Sequence, residues 1–311
     1  MTISVVIESW NIDDDTAGLG RLLEILAPQV VAVGAEVVIS HVGISASART
    51  ALDARLGRAI TWVELAPSAT YYDHKNDGFD ASTGEIVAFV DGDCRPSPGW
   101  LAALTAPIAS GAAVVAGATS YEGALAPLAN ELDFPYFDGQ HKTRSFAATS
   151  EQPSATVRNF FANNVAFARS AFAARRFPEL APMFHGQCQV LALQLVEAGI
   201  PIIYARDARV THAWPGSVGE WVHVRLLRGA DTRQLLPHVL ATYAPRARAV
   251  AMKLGPLPAL AILGLRMFTG TRAALQRGPA LRGLALVAGV TAVDALGAAA
   301  APAVYRVLGA T

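Results

Sequence analysis

Short apolar runs alternate with helix-length amphipathic stretches over the first 120 residues. Ser4-Val5-Val6-Ile7 is a β-branched run, followed by a polar loop over Asn11–Asp15 and a helical pattern at Leu19, Leu22, Leu23, Ile25 and Leu26. Val37-Val38-Ile39 comes next, then a helix around Ala48–Leu56, the strand Ile60–Val63, a polar helix near Tyr72–Ser82, and the run Ile86–Val90. Four or five apolar residues in a row fit a strand buried on both faces, and the spacing between runs leaves room for crossover helices. The pattern predicts an α/β fold with a doubly wound, mostly parallel sheet, whose ligands sit at the carboxyl ends of the strands. Ser120–Arg158 has no clean period and reads as a long substrate-side excursion. Order returns with a strand at Asn164–Ala168, a helix at Gln187–Ala198, and strands at Pro201–Tyr204 and Val210–His212.

From Pro245 the chain turns to Ala, Leu, Gly, Val and Pro with scattered Arg. We therefore divide it into a core over 1–215, an amphipathic connector over 216–245 and an apolar helical tail over 246–311. Leu254–Leu265 is too short for a bilayer, which needs about 20 apolar residues, and predicts a helix lying in the interface. Gly283–Tyr305 is long enough to cross, although Asp294 near its centre costs roughly 2.5–3.5 kcal/mol on insertion. One crossing is the reading adopted; an interfacial hairpin and a packed helix pair are the alternatives.

Hydrophobic residues make up 52% of the chain and charged residues 16%, with 25 basic against 25 acidic side chains. That composition excludes a disordered chain and a nucleic-acid binder working by bulk charge. Two cysteines, Cys94 and Cys188, cannot build a disulfide framework or a cysteine-rich zinc site and fit a reduced compartment. No signal peptide is visible, so the core is expected on the cytoplasmic side of the membrane.

The sharpest chemical signal is Asp91-Gly92-Asp93, two carboxylates straight after a buried strand. Hard oxygen ligands in that place suit magnesium or manganese, which complete their shells with phosphates. The plainer alternative is a strand-end turn with exposed acids, as Asp13-Asp14-Asp15 reads. His74-Lys75-Asn76-Asp77-Gly78 lies on the preceding helix. Lys75 can meet a diphosphate and Asn76 a sugar or base, or both can belong to a solvated helix face.

These segments together resemble family 2 glycosyltransferases. Ser4–Ile7 with Asn11 is similar to their opening strand, His74–Gly78 to their A-R-N-x-G helix with Lys75 for the Arg, and Gly84-Glu85 through Asp91-Gly92-Asp93 to Pro98 and Trp100-Leu101 to their acidic block. Asn163–Phe167 resembles the acceptor-side strand, and Leu191–Gly199, Tyr204 and Val210-Thr211-His212 the closing segment. The resemblance spans about residues 3–215 and implies a GT-A fold, a nucleotide-diphosphate sugar donor, Mn2+ or Mg2+, and transfer with inversion. It implies metal binding by Asp93, Asp91 and His212, and donor binding by Asn11, Lys75, Asn76 and Asp91. A strand-end structural histidine is the alternative for His212.

Three positions depart from the family pattern. Glu8 replaces the strand-opening Pro, and Ser40-His41 replaces the acidic pair that typically holds uracil. Gln187-Cys188 stands where a Glu-Asp pair usually supplies the catalytic base. An inverting transferase needs a base beside the acceptor hydroxyl. His185, with an ordinary pKa near 6.5, is the nearest titratable substitute, and Asp133 in the excursion is another. Arg225, Arg228 and Arg233 loosely resemble the basic region of processive members, but their Gln-Arg-x-x-Arg-Trp motif is absent. The expected function is transfer of a single sugar to a lipid-linked or other envelope acceptor at the cytoplasmic face of the cell membrane. The alternative is a catalytically retired scaffold that binds a nucleotide sugar or a partner protein without turnover. A nucleotidylyltransferase would need a Gly-rich loop where Glu8-Ser9-Trp10 stands.

Overall fold

The computed structural model describes residues 1–10, 12, 15–123, 154–180, 182–212, 216–277 and 280–308. Asn11 and Asp133 lie outside them, as does most of the expected excursion. The chain forms two compact units. The first comprises Met1–Ser120, Phe137–Phe177 and Gln194–Ala213; the second comprises Tyr121–Tyr136, Pro178–Leu193 and Trp214–Thr311.

The first unit is built on a nine-stranded sheet. Its elements are β1 (Ile3–Glu8), α1 (Ala17–Val33), β2 (Glu36–His41), α2 (Ala46–Leu56), β3 (Thr61–Glu64), α3 (Tyr71–Ala81), β4 (Ile86–Asp91), β5 (Cys94–Pro96), α4 (Trp100–Ala109), β6 (Val114–Tyr121), β7 (Ser154–Val157), β8 (Asn164–Ala168), α5 (Arg169–Ala174), α6 (Gln187–Glu197, shared with the second unit) and β9 (Ile202–His212). The strand order is β3-β2-β1-β4-β8-β6-β9-β5, with β7 paired to β9. β3, β2, β1 and β4 run parallel. From β8 onward the described pairings are antiparallel, so the sheet is mixed and only its first half is the parallel one that the run-and-helix spacing predicts.

Alternation along the strands sends Val5, Ile7, Val37, Ile39, Ala88 and Val90 into one core with Leu19, Leu23, Leu52, Trp100 and Leu104 of the helices. An aromatic cluster fills the other side: Phe89, Phe167, Phe172 and Phe177 pack at ring separations of 4.9 to 6.1 Å. Tilted and edge-on aromatic contacts of this kind add about 0.5–1.5 kcal/mol each beyond area burial. Helix α3 starts on a capping box, in which Thr70 and Asp73 each satisfy the other's backbone N–H. The two short strands expected at 201–204 and 210–212 are one strand, β9. Its middle, Arg206 to Arg209, alternates exposed polar positions with buried Ala208, which hides the continuity from an apolar-run reading.

In the second unit the helices are α7 (Val218–Tyr243), α8 (Pro245–Lys253), α9 (Leu257–Arg277), α10 (Ala280–Ala299) and α11 (Ala301–Leu308). Trp221 of α7 packs with Val287 and Val290 of α10, Leu227 and Ala230 with Ala301, Val304 and Tyr305, and Ala259 and Leu263 of α9 with Ala298. α7 and α10 approach closely enough that a Cβ on Gly229 would collide with the Asp294 backbone, and one on Gly297 with the Leu226 carbonyl. Beside this crossing Arg225 Nε donates to Asp294 Oδ1 at 2.8 Å and its Nη2 to Oδ2, both side chains being buried. Asp294 is therefore neutralised within the helix bundle. Among the described residues no single helix is long and apolar enough to cross a membrane. The span expected over Gly283–Tyr305 is two helices bent by 92° at Ala300; this bent pair, and the pair α8 with Leu257–Leu265, meet the length and composition of a span only jointly.

Candidate metal and donor site

Three parallel strands end side by side where the acidic turn begins. Asp91, the last residue of β4, is in register with Glu8, the last residue of β1, and Glu8 with Ser40 of β2. The chain turns through Gly92 and Asp93 into β5, whose Cys94 is in register with His212 at the end of β9. One ligand atom from each of Asp91, Asp93, Cys94 and His212 falls within 4.8 Å of the others. His212 Nε2 lies 3.2 Å from Asp93 Oδ1 and 4.0 Å from Asp91 Oδ2.

Helix α3 supplies the counter-charge. Tyr71 and Lys75 are one turn apart on its buried face. Lys75 Nζ donates to Asp91 Oδ1 at 2.6 Å, and the Tyr71 hydroxyl lies 3.0 Å from both carboxylate oxygens of Asp91. The ammonium sits 4.6 Å from the Tyr71 ring centroid. The Lys75 side chain is 0% exposed and that of Asp91 8%, so this is a buried ion pair whose loss of hydration is offset by the ammonium–carboxylate bond, the Tyr71 hydroxyl proton shared between the two carboxylate oxygens, and the ring face. Asp93, with a 44% exposed side chain, sits at the rim. Partial burial pushes its carboxyl up, and the hydrogen bond and charge of His212 outweigh that, holding it below its ordinary value.

Glu8 is buried, and its carboxylate oxygen accepts the Trp10 N–H at 2.9 Å. Burial first, and then the charge of Asp91, raise its pKa well above the ordinary carboxylate value. Burial and the two aspartates likewise push the Cys94 thiol up, and a soft sulfur is the least suited of the four to a hard cation. Two carboxylates and an imidazole remain. That hard-to-borderline donor set fits Mn2+ or Mg2+.

The structure thus brings Asp91, Asp93, His212 and Lys75 together. Asn76 points elsewhere: its Nδ2 donates to the Phe177 carbonyl at 3.0 Å, tying α3 to the segment after α5. Ser40 and His41 close the end of β2. The Ser40 carbonyl takes bonds from the Ser9 hydroxyl and His74 Nδ1, and His41 is buried with its ring edge-on to Trp62. His185 belongs to the second unit. Its ring stacks on Phe184 at 3.8 Å, and the Phe184 and His185 N–H groups donate to Asp231 at 2.8 and 2.7 Å. Asp231 also accepts from the Tyr305 hydroxyl at 2.6 Å, while burial raises its pKa to about 6. Gln187 Nε2 bonds back to the Met183 carbonyl. Tyr71 and Glu8 are the site residues that the sequence pattern did not single out for a role. The signal for Tyr71 was its i, i+4 spacing from Lys75.

Residues 72–176 match the family model "Glycosyl transferase family 2". They run from α3 through the acidic turn to the end of the aromatic cluster's helix. That match assigns residues 72–176 to a family 2 glycosyltransferase domain. No curated protein matches the chain significantly. Among solved structures, this glycosyltransferase is similar to a mannosyltransferase from Pyrobaculum calidifontis in complex with GDP-Man and Mn2+, at 17% identity and a TM-score of 0.61, covering 96% of this chain and 86% of that one. It is also similar to glucosyl-3-phosphoglycerate synthase from Mycobacterium tuberculosis in complex with Mn2+, UDP and phosphoglyceric acid, at 18% identity and a TM-score of 0.50, covering 78% of each chain. At these identities the likeness establishes the GT-A fold.

Proposed function

We propose that the protein transfers a single sugar, with inversion, from a nucleotide-diphosphate donor to a lipid-linked or other envelope acceptor at the cytoplasmic face of the cell membrane. The observation that carries the donor half is the cluster of Asp91, Asp93 and His212 beside the buried Lys75. Asp93 and His212, joined by Asp91, would hold Mn2+ or Mg2+. When bound, the metal supplies charge neutralisation to the departing nucleoside diphosphate. In this reading Lys75 gives a diphosphate oxygen a second cation, and the buried Tyr71 keeps Asp91 oriented. His185 serves in this reading as the base that takes the acceptor hydroxyl proton, and its neutral form is the active one. The related structures that hold GDP-Man or UDP with Mn2+ support the donor class.

A second reading has one observation behind it. Helix α6 opens on Gln187 and Cys188, a neutral amide that donates to the Met183 carbonyl and a buried thiol. In that reading the domain binds a nucleotide sugar without turnover. A thermal-shift panel of nucleoside diphosphates with and without Mn2+ tests the shared donor site through ligand linkage. A metal-dependent shift for one nucleotide is expected, and no shift with any of them would remove the donor assignment. Release of nucleoside diphosphate from the matching sugar donor then separates transferase from retired scaffold.

A further inference from the structure

Helix α8 has no buried residue. Its apolar side chains Val250 and Met252, with Leu254 just beyond, stand exposed. The chain bends by 118° into α9. There Ala259 and Leu263 are buried against Ala298, while Leu257, Leu265 and Phe268 are 60 to 67% exposed. Leu257, Ala261, Leu265 and Phe268 follow at i, i+4, i+8 and i+11, which is one helix face. A lone exposed leucine means little, but a run of this kind on two consecutive helices exceeds ordinary surface composition.

The charge around it has one sign. Arg246, Arg248 and Lys253 are exposed on α8. No acidic residue occurs anywhere between Asp231 and Asp294. Two copies joined through this face would set basic residues against basic residues, whereas an anionic bilayer offers both an apolar interior and the opposite charge. The α8 arm, at about 1.5 Å per residue, covers less than half of the roughly 30 Å hydrocarbon layer.

We infer that the α8–α9 elbow is a monotopic docking surface for an anionic lipid bilayer, lying in the plane of the interface with Leu254, Leu257, Leu265 and Phe268 inserted and Arg246, Arg248 and Lys253 at the headgroups. This deepens the membrane placement proposed above and rests on it. It assigns the contact to the elbow rather than to α10, whose Asp294 is taken up by Arg225.

Flotation of the full-length protein with vesicles tests the assignment. Binding is expected to vesicles of phosphatidylcholine mixed with phosphatidylglycerol, to weaken with salt, and to be slight with phosphatidylcholine alone. Leu257→Glu with Phe268→Glu should abolish flotation. Arg246→Glu with Arg248→Glu should lower partitioning by more than about tenfold, since each basic residue near such a surface contributes about 1 kcal/mol. Leu296→Glu, an equally exposed leucine on α10, should leave it unchanged. The metal-dependent nucleotide shift, read on the same variants, should persist; it reports the donor site and separates failure here from failure of the transferase reading. Flotation that survives both double variants, or is lost with Leu296→Glu alone, would overturn the elbow assignment. So would a dimer in light scattering that Leu257→Glu dissociates, which would make the face a contact between copies.

Discussion

Asp91 and Asp93 are two residues apart and face different surroundings. Asp91 is buried and bonded to Lys75 and Tyr71, whereas Asp93 is at the rim opposite His212. Asp93→Ala should therefore fold like the parent and lose more than about tenfold in Mn2+-dependent nucleotide affinity by calorimetry, as expected when a charge-assisted partner is removed. His74 offers a pH test. It is buried, its Nδ1 bonds the Ser40 carbonyl, and burial lowers its pKa to about 4. The unfolded chain takes up this proton near pH 6.5 and the folded chain only near 4. His74 thus costs stability as pH falls through that window, by up to about 3 kcal/mol. Asp231 has the opposite slope, since its raised pKa costs stability as pH rises toward 6. The readout is therefore the difference between parent and His74→Gln in urea unfolding at pH 7 and pH 4.5, with the variant losing less. At this scale the carboxylates, Lys75 and His212 were legible because charge just after a buried strand is conspicuous. Tyr71 was not, because a tyrosine at a buried helical position reads as packing, and Asn76 gave no hint that its amide would be taken by the Phe177 carbonyl.

Among elements, α7 and α10 meet at a close crossing that holds a buried ion pair. Gly229 and Gly297 let the backbones approach, and the Arg225–Asp294 pair sits beside the crossing. Arg225→Leu alone leaves a buried carboxylate and should cost about 3–5 kcal/mol. Arg225→Leu with Asp294→Leu should recover most of that, as a double-mutant cycle in denaturant would show by a large coupling energy. A double-variant loss equal to the sum of the two single losses would mean that the pair contributes no specific interaction. In the sequence Asp294 reads as a cost inside an apolar stretch, because its partner is 69 residues away. The parallel strands and their helices were legible, since each is one uniform run. β9 was split in two because its exposed Arg206, Asp207 and Arg209 interrupt the run.

For the molecule as a whole, the change in composition at Pro245 does not coincide with a change in packing. Trp221, Leu227 and Ala230 of α7 are covered by residues 287–305. A chain ended after Ala244 should therefore expose that face, strand Arg225, and give an aggregation-prone product in light scattering, whereas a monodisperse and cooperatively unfolding product would show that α7 needs no cover. Composition revealed that the tail differs from the core, but not that α7 is built into it, because amphipathic periodicity does not name the surface a helix meets. The buried bridge between Lys75 and Asp91 has a consequence for the energetics of ligand entry. Before any ligand arrives, Asp91 already has a tethered cation, so a divalent ion entering alone meets a like charge at its own ligand. A diphosphate gives the ammonium somewhere else to turn. Metal and nucleotide should accordingly be reciprocal effectors: each should tighten the other's dissociation constant by the same factor, and Lys75→Met should bring that factor toward one by strengthening the binding of Mn2+ alone.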